Sequence, residues 1–341
     1  MTLFTRRDCF KKTAAFVGLA AHRGAAADLP EHYPRNLTKA DIDRWMTEIS
    51  NWGRWGSEDQ AGTINLITAT KRRQAAAMSL DADIAPEGTL PAPAASAQES
   101  APPRPRYTWE HSMLSNGIGR KEGFVLDTYS ISFHGSAITH LDTLSHFIYT
   151  GKIFNGFPGD TINSWGATKD NVMPFKDGIF TRAMLFDIPA LKGVPYLGDD
   201  EAIYPEDLEA WEKRAGIKLE SGDAVFIRTG RWRSIAEKGP LRNRQMPGLY
   251  ASCVKWLKQR NCSLLGSDGV QDVRPSRVEC VDQPVHQLCL ASVGMPLMDN
   301  CNLELLSQAA AQRRRWMFLL TVGLLRVPGG TGSPANPIAT F

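Results

Sequence analysis

Phe133-His134-Gly135-Ser136-Ala137-Ile138-Thr139-His140-Leu141-Asp142-Thr143-Leu144-Ser145-His146 sets three of the chain's seven histidines within thirteen residues. His140 and Asp142 are two apart, so in extended chain their side chains share one side. A helix starting near Asp142 carries His146 one turn further along that side. A strand running into a helix thus converges an imidazole, a carboxylate and a second imidazole on one point. That donor set suits Zn²⁺, Mn²⁺ or Fe²⁺. The bland alternative is a hydrogen-bonded His–Asp pair with unrelated neighbours. A lone His-x-Asp is common, and the extra histidine one turn on weighs against chance.

Outward from this stretch, strand and helix patterns mix. Residues 125–133 roughly alternate polar and apolar. Residues 183–188 and 224–229 are short apolar strands, the second preceded by the turn pair Gly222-Asp223. Residues 263–267 read as a strand after a helix at 249–259, and 316–327 as a long strand region broken by Gly323. Helices are expected at 41–46 after Thr38, from an N-cap at Thr68, and at 205–214 and 303–312. Residues 86–105, rich in Pro, Ala and Ser, read as an extended surface arm. Without a strict βαβ rhythm, this pattern favours an α/β or α+β domain with a mixed sheet. A chain of 341 residues, 43% hydrophobic, can bury a real core.

Residues 1–27 stand apart. Arg6-Arg7 precedes a short apolar run and the small residues Ala25-Ala26-Ala27, and the order resembles a twin-arginine (Tat) export signal. It implies a periplasmic protein, with the Tat translocase as partner during export. The apolar run is too short to span a bilayer, so no membrane association is expected after cleavage. The segment holds five of the 39 Lys+Arg and one of the 36 Asp+Glu, which leaves 34 positive and 35 negative groups. The formal net charge of +3 therefore belongs to the segment and gives no argument for nucleic-acid binding. The remaining cysteines, Cys253, Cys262, Cys280, Cys289 and Cys301, lack the spacing of a zinc or iron–sulfur site. A G-x-S-x-G elbow and the phosphate-binding glycine motifs are both missing.

Residues 136–146 resemble the H-x-G-T-H-x-D-x-x-x-H signature of the cyclase family, which includes kynurenine formamidases and isatin hydrolases. The likeness extends to Asn51-Trp52-Gly53-Arg54-Trp55-Gly56, to Gly222–Gly230, to Gly266-Ser267-Asp268 and to the block from Pro328 to Pro334. It implies one catalytic domain over 28–341, an α/β swivelling β/β/α cyclase-type fold with a mixed sheet. It also implies homodimers or higher oligomers. The expected activity is metal-dependent hydrolysis of a small amide, formamide or lactone as substrate. By the same resemblance, His140 and Asp142 are metal ligands and His146 is the general acid/base. Ser136 stands where the family has its first histidine, which favours one divalent ion, Zn or Mn, over two. His134, two residues upstream on the same strand face, is a candidate replacement. His286 is the candidate third ligand, with Gln287 as the alternative one residue on. Asp299 either ligates or orients a ligand imidazole. Trp55 is a candidate for the substrate side, and Trp52, Phe154 and Phe157 are either pocket floor or plain core. The rival class is a catalytically inactive periplasmic binding protein on this fold, favoured by Ser136 and opposed by the retained His140, Asp142 and His146.

Overall fold

Four parallel strands carry the core because their residues are largely buried on both faces. Among the described residues they belong to a nine-stranded mixed sheet. Its strands in chain order are β1 (Ile84–Pro86), β2 (His140–Asp142), β3 (Ile179–Asp187), β4 (Ala224–Arg228), β5 (Leu264–Ser267), β6 (Leu297–Asp299), β7 (Met317–Val322), β8 (Gly332–Pro334) and β9 (Ile338–Thr340). Their spatial order is β1-β9-β7-β3-β4-β5-β6-β2-β8. Pairing is parallel from β3 through β6 and antiparallel on either side. The computed structural model describes residues 33–77, 84–86, 109–239 and 245–341. The export segment and, apart from Pro86, the Pro/Ala-rich arm lie outside the described residues.

Helices cover the sheet: α1 (Lys39–Glu48), α2 (Ala69–Ala76), α3 (Ile188–Lys192), α4 (Pro205–Ala215), α5 (Arg231–Lys238), α6 (Ser252–Gln259), α7 (Pro284–His286) and α8 (Glu304–Arg313). Thr38 and Asp41 close a reciprocal capping box on α1, satisfying two backbone N–H groups that the helix start leaves open. Its buried stripe, Ile42, Trp45 and Met46, meets a seven-residue π-helical turn, Gln287–Val293, that continues directly from α7. Ser292 Oγ donates to the Met46 carbonyl at 2.9 Å and pins that contact. Thr68 caps α2, whose Lys71 reaches Asp223 at the start of β4. Arg182 of β3 grips the same carboxylate with two nitrogens, at 2.8 and 2.6 Å.

Four sequence expectations shift. The alternating run at 125–133 forms a strand only over Leu126–Ile131, paired with Trp109–Ser115 in a hairpin outside the sheet. That strand is exposed on both sides, so its alternation marks no core face. The helix expected from 249 begins at Ser252, after a two-residue strand, Gly248–Leu249. The strand expected over 316–327 stops at Val322, before Gly323. Beyond Asp142 the chain makes a single 3₁₀ turn, Leu144–His146, in place of a helix.

Candidate metal centre

β2 is three residues long and paired on both sides. His140 lies opposite Asp299 of β6, and Asp142 opposite Leu297. Directly opposed residues project to the same face of a sheet, so the register sets Asp299 beside His140 and Asp142. His146 follows on the 3₁₀ turn, which is held by Ser145 N donating to Asp170 O (3.1 Å) and Thr143 N donating to Thr331 O (3.1 Å). His286 arrives from the end of α7. His134 arrives from the loop before β2, with Phe133 packed on its ring at 4.3 Å between centroids.

These side chains converge on Asp142, which is 1% exposed. Its Oδ1 lies 2.9 Å from His134 Nδ1 and 3.4 Å from His140 Nε2. Its Oδ2 lies 3.7 Å from His146 Nε2 and 3.9 Å from His286 Nε2. His286 Nε2 is also 3.6 Å from Asp299 Oδ2. The rings of His134 and His146 stack nearly parallel, 4.2 Å apart at 11°. Ser136 lines the same cavity, of about 100 Å³, together with Gly135, Val270, Arg274 and Gln283. Trp55 does not join this group. It is half-buried, with the Arg54 guanidinium 4.7 Å from its ring centre. Phe154 and Phe157 are core, and Trp52 donates its indole N–H to Ala291 O at 2.7 Å.

The donor atoms fit a cation. His140 Nδ1 lies 2.7 Å from the Ile138 carbonyl, which only accepts, so Nδ1 carries the proton and Nε2 offers its lone pair. His286 Nδ1 bonds Asp272 Oδ2 at 2.7 Å, and the Asp272 carboxylate also accepts from the Val285 and His286 amides. A carboxylate behind an imidazole fixes ring orientation and raises the basicity of the other nitrogen, as at many metal sites. Gln271 donates to Asp299 Oδ1 at 3.1 Å and steadies that carboxylate likewise. His134 Nδ1 and Asp142 Oδ1 are both buried and face one another at 2.9 Å. Buried polar atoms this close are costly unless a proton or a cation lies between them. Two triads can each hold an ion, His134–His140–Asp142 and Asp142–His286–Asp299, sharing the central carboxylate.

Charge balance is tight. Burial opposes ionisation of Asp142, but His134, His146, His140 and His286 around it lower its pKa to about 2. Burial lowers His146 to about 4 against the pull of Asp142. Burial likewise works against protonated His286, yet Asp272 and Asp299 raise it to about 10. A dication among these groups competes with such protons directly. Sequence reasoning missed Asp272, Gln271 and Arg274. All three lie in the loop after β5, fourteen or so residues from His286, where spacing gives no signal.

The family model named Cyclase matches residues 77–271. The chain belongs to the cyclase family. A crystal structure described as a novel cyclase is 27% identical, covering 86% of this chain and 97% of its own, with a TM-score of 0.75. Isatin hydrolase A from Ralstonia solanacearum is 19% identical over 80% of this chain and 97% of its own, at a TM-score of 0.53. An isatin hydrolase bound to the product analogue thioisatinate is 17% identical over 80% and 98%, at 0.52. None of the curated proteins matches. The two isatin hydrolases share the fold with this cyclase-family chain. The α/β cyclase-type domain with a mixed sheet, expected from the signature, is the one observed.

Proposed function

We propose that this chain is a metal-dependent hydrolase of a small amide, formamide or lactone, working with one divalent ion, Zn or Mn. The observation that carries the proposal is the convergence of His134, His140, His286 and Asp299 around the buried Asp142 carboxylate, with the lone pair of His140 Nε2 turned toward it. His140, Asp142 and His286 would hold the ion, with His134 in the role left open by Ser136. When bound, the metal polarises a carbonyl and makes water more acidic.

The chain's own groups divide the remaining work. Asp142 supplies the negative charge that a dication needs. Asp272 holds His286 in one tautomer, and Gln271 holds Asp299. His146 sits at the open edge, its side chain 30% exposed, and its low pKa leaves the imidazole neutral near neutral pH. It is placed to take a proton from attacking water at Nε2 and return it to the leaving nitrogen or oxygen. The stacked His134 ring limits how far His146 can swing. Isatin hydrolases act on a cyclic amide, which supports an amide or lactone as the bond cleaved here.

Elemental analysis after dialysis, with turnover of N-formylkynurenine, isatin and simple lactones, tests the reading. About one transition-metal ion per chain and chelator-sensitive hydrolysis of one probe are expected. Protein that holds no metal and cleaves none of the panel would overturn it. Two tightly held ions would overturn the single-ion part.

A further inference from the structure

One wall of the cavity is not used by this chemistry. Arg274 lines it beside His286, Gln283 and Val270. Its backbone is fixed twice to Met246, N to O at 2.8 Å and O to N at 3.0 Å. Asp272, two residues earlier, turns inward to clamp His286, while Arg274 borders the cleft. Its side chain is half-buried, and among the described residues it has no ion pair and no side-chain hydrogen bond.

Two buried arginines of the described residues are paired. Arg182 meets Asp223 at 2.6 Å, and Arg228 meets Asp187 at 2.9 Å and Glu304 at 2.7 Å. Arg231 borders the same region but spends Nη1 and Nη2 on the carbonyl oxygens of Asp268 and Ser136 and on Asn300, leaving only the buried Nε without a partner. Its charge repels that of Arg274. A guanidinium cannot lose its charge in a protein. Keeping one half-buried, unpaired and next to a like charge is unfavourable unless an anion completes it.

Resting on the hydrolase reading above, we infer that Arg274 recognises a carboxylate on the substrate, so that the enzyme prefers small amides or lactones bearing an acid group. The planar fork of a guanidinium matches a carboxylate with two parallel N–H···O bonds. The acid group anchored there leaves the scissile carbonyl to face the Asp142 cluster across a cleft of only about 100 Å³. Asp142 and Asp299 already satisfy the cationic side of the cluster, which leaves Arg274 as the anion's partner.

The test compares benzoate with its neutral isostere benzamide by calorimetry, on wild type, Arg274→Gln and Arg274→Lys. Each protein is measured both metal-loaded and after chelator treatment, because a carboxylate also binds a metal directly. In the chelator-treated wild type, benzoate should bind ~10-fold or more tighter than benzamide, as a charge-assisted fork predicts. Arg274→Gln should bring that ratio to about one, and Arg274→Lys should fall between, keeping charge without the fork. An unchanged ratio in both variants, or no preference in wild type, overturns the inference. If Arg274→Gln fails to fold, the Lys variant alone decides by the same ratio. Loss of the metal-dependent part with a retained Arg274-dependent ratio would sink the hydrolase reading and leave the anion site standing.

Discussion

Asp142 is the residue through which every other member of the centre is connected. The alternation that pairs it with His140 is readable from two positions in a row, because strand geometry alone decides it. His134 is not readable that way. It approaches from a loop, and its nearness to Asp142 depends on Thr331, which meets its ring at 3.2 Å from almost two hundred residues away. His146 reaches the site by a 3₁₀ turn where sequence reasoning expected a helix, yet arrives at the same face. Its role separates from ligation by experiment. His140→Ala and Asp142→Ala should lower metal content and activity together. His146→Ala should retain the metal while turnover falls by about 10²–10⁴-fold. Metal loss in His146→Ala would make this residue a ligand, and the proton would need another carrier.

At the scale of elements, the π-helical turn after His286 shows why some structure is invisible in sequence. All seven residues, Gln287–Val293, are buried. A segment covered on every side has no amphipathic period, so neither its helical character nor its wider winding can be read. Helices α1 and α2 were legible because Thr38 and Thr68 announce their starts. The π turn, a form frequent at functional sites, ends at Gly294 with φ of 66°. A Cβ there would come within 2.3 Å of the Phe154 ring, and Gly294 O also accepts from Thr63 N at 2.8 Å. Gly294→Ala should therefore cost roughly 2–4 kcal/mol, from left-handed strain plus overpacking. Gly323→Ala, which meets nothing within 4 Å, should stay within about 0.5 kcal/mol. Equal urea midpoints for the two variants would refute this account.

Across the whole molecule, fold class was legible because a family signature carries it, while strand order was not. Pairing of β2 with β6 and β8 joins segments more than 150 residues apart, and no local pattern encodes that. A second long-range feature affects stability. Asp170 is fully buried, and neither carboxyl oxygen has a hydrogen-bond partner. Burial first, and the charge of Asp59 second, raise its pKa from 3.8 to about 8. Between those values the folded state keeps a proton that the unfolded chain releases. Its contribution to stability is complete below pH 3.8 and is lost as pH rises through about 8. The melting temperature should fall between about pH 4 and about pH 8, and Asp170→Asn should flatten that slope. Parallel curves for the two proteins would count against it.

The double pairing of β2 also sets a timetable. A nascent chain that has exposed residues through 300 already contains each imidazole and carboxylate of the centre. It still lacks Gly332–Pro334, the strand that closes the outer edge of β2, and Thr331, which steadies both His134 and the turn before His146. Contacts of such separation form late, after the loops between them have closed. The ligands therefore become a site only near the end of synthesis, and a ribosome-bound fragment ending before residue 331 should release a cation that the finished chain retains.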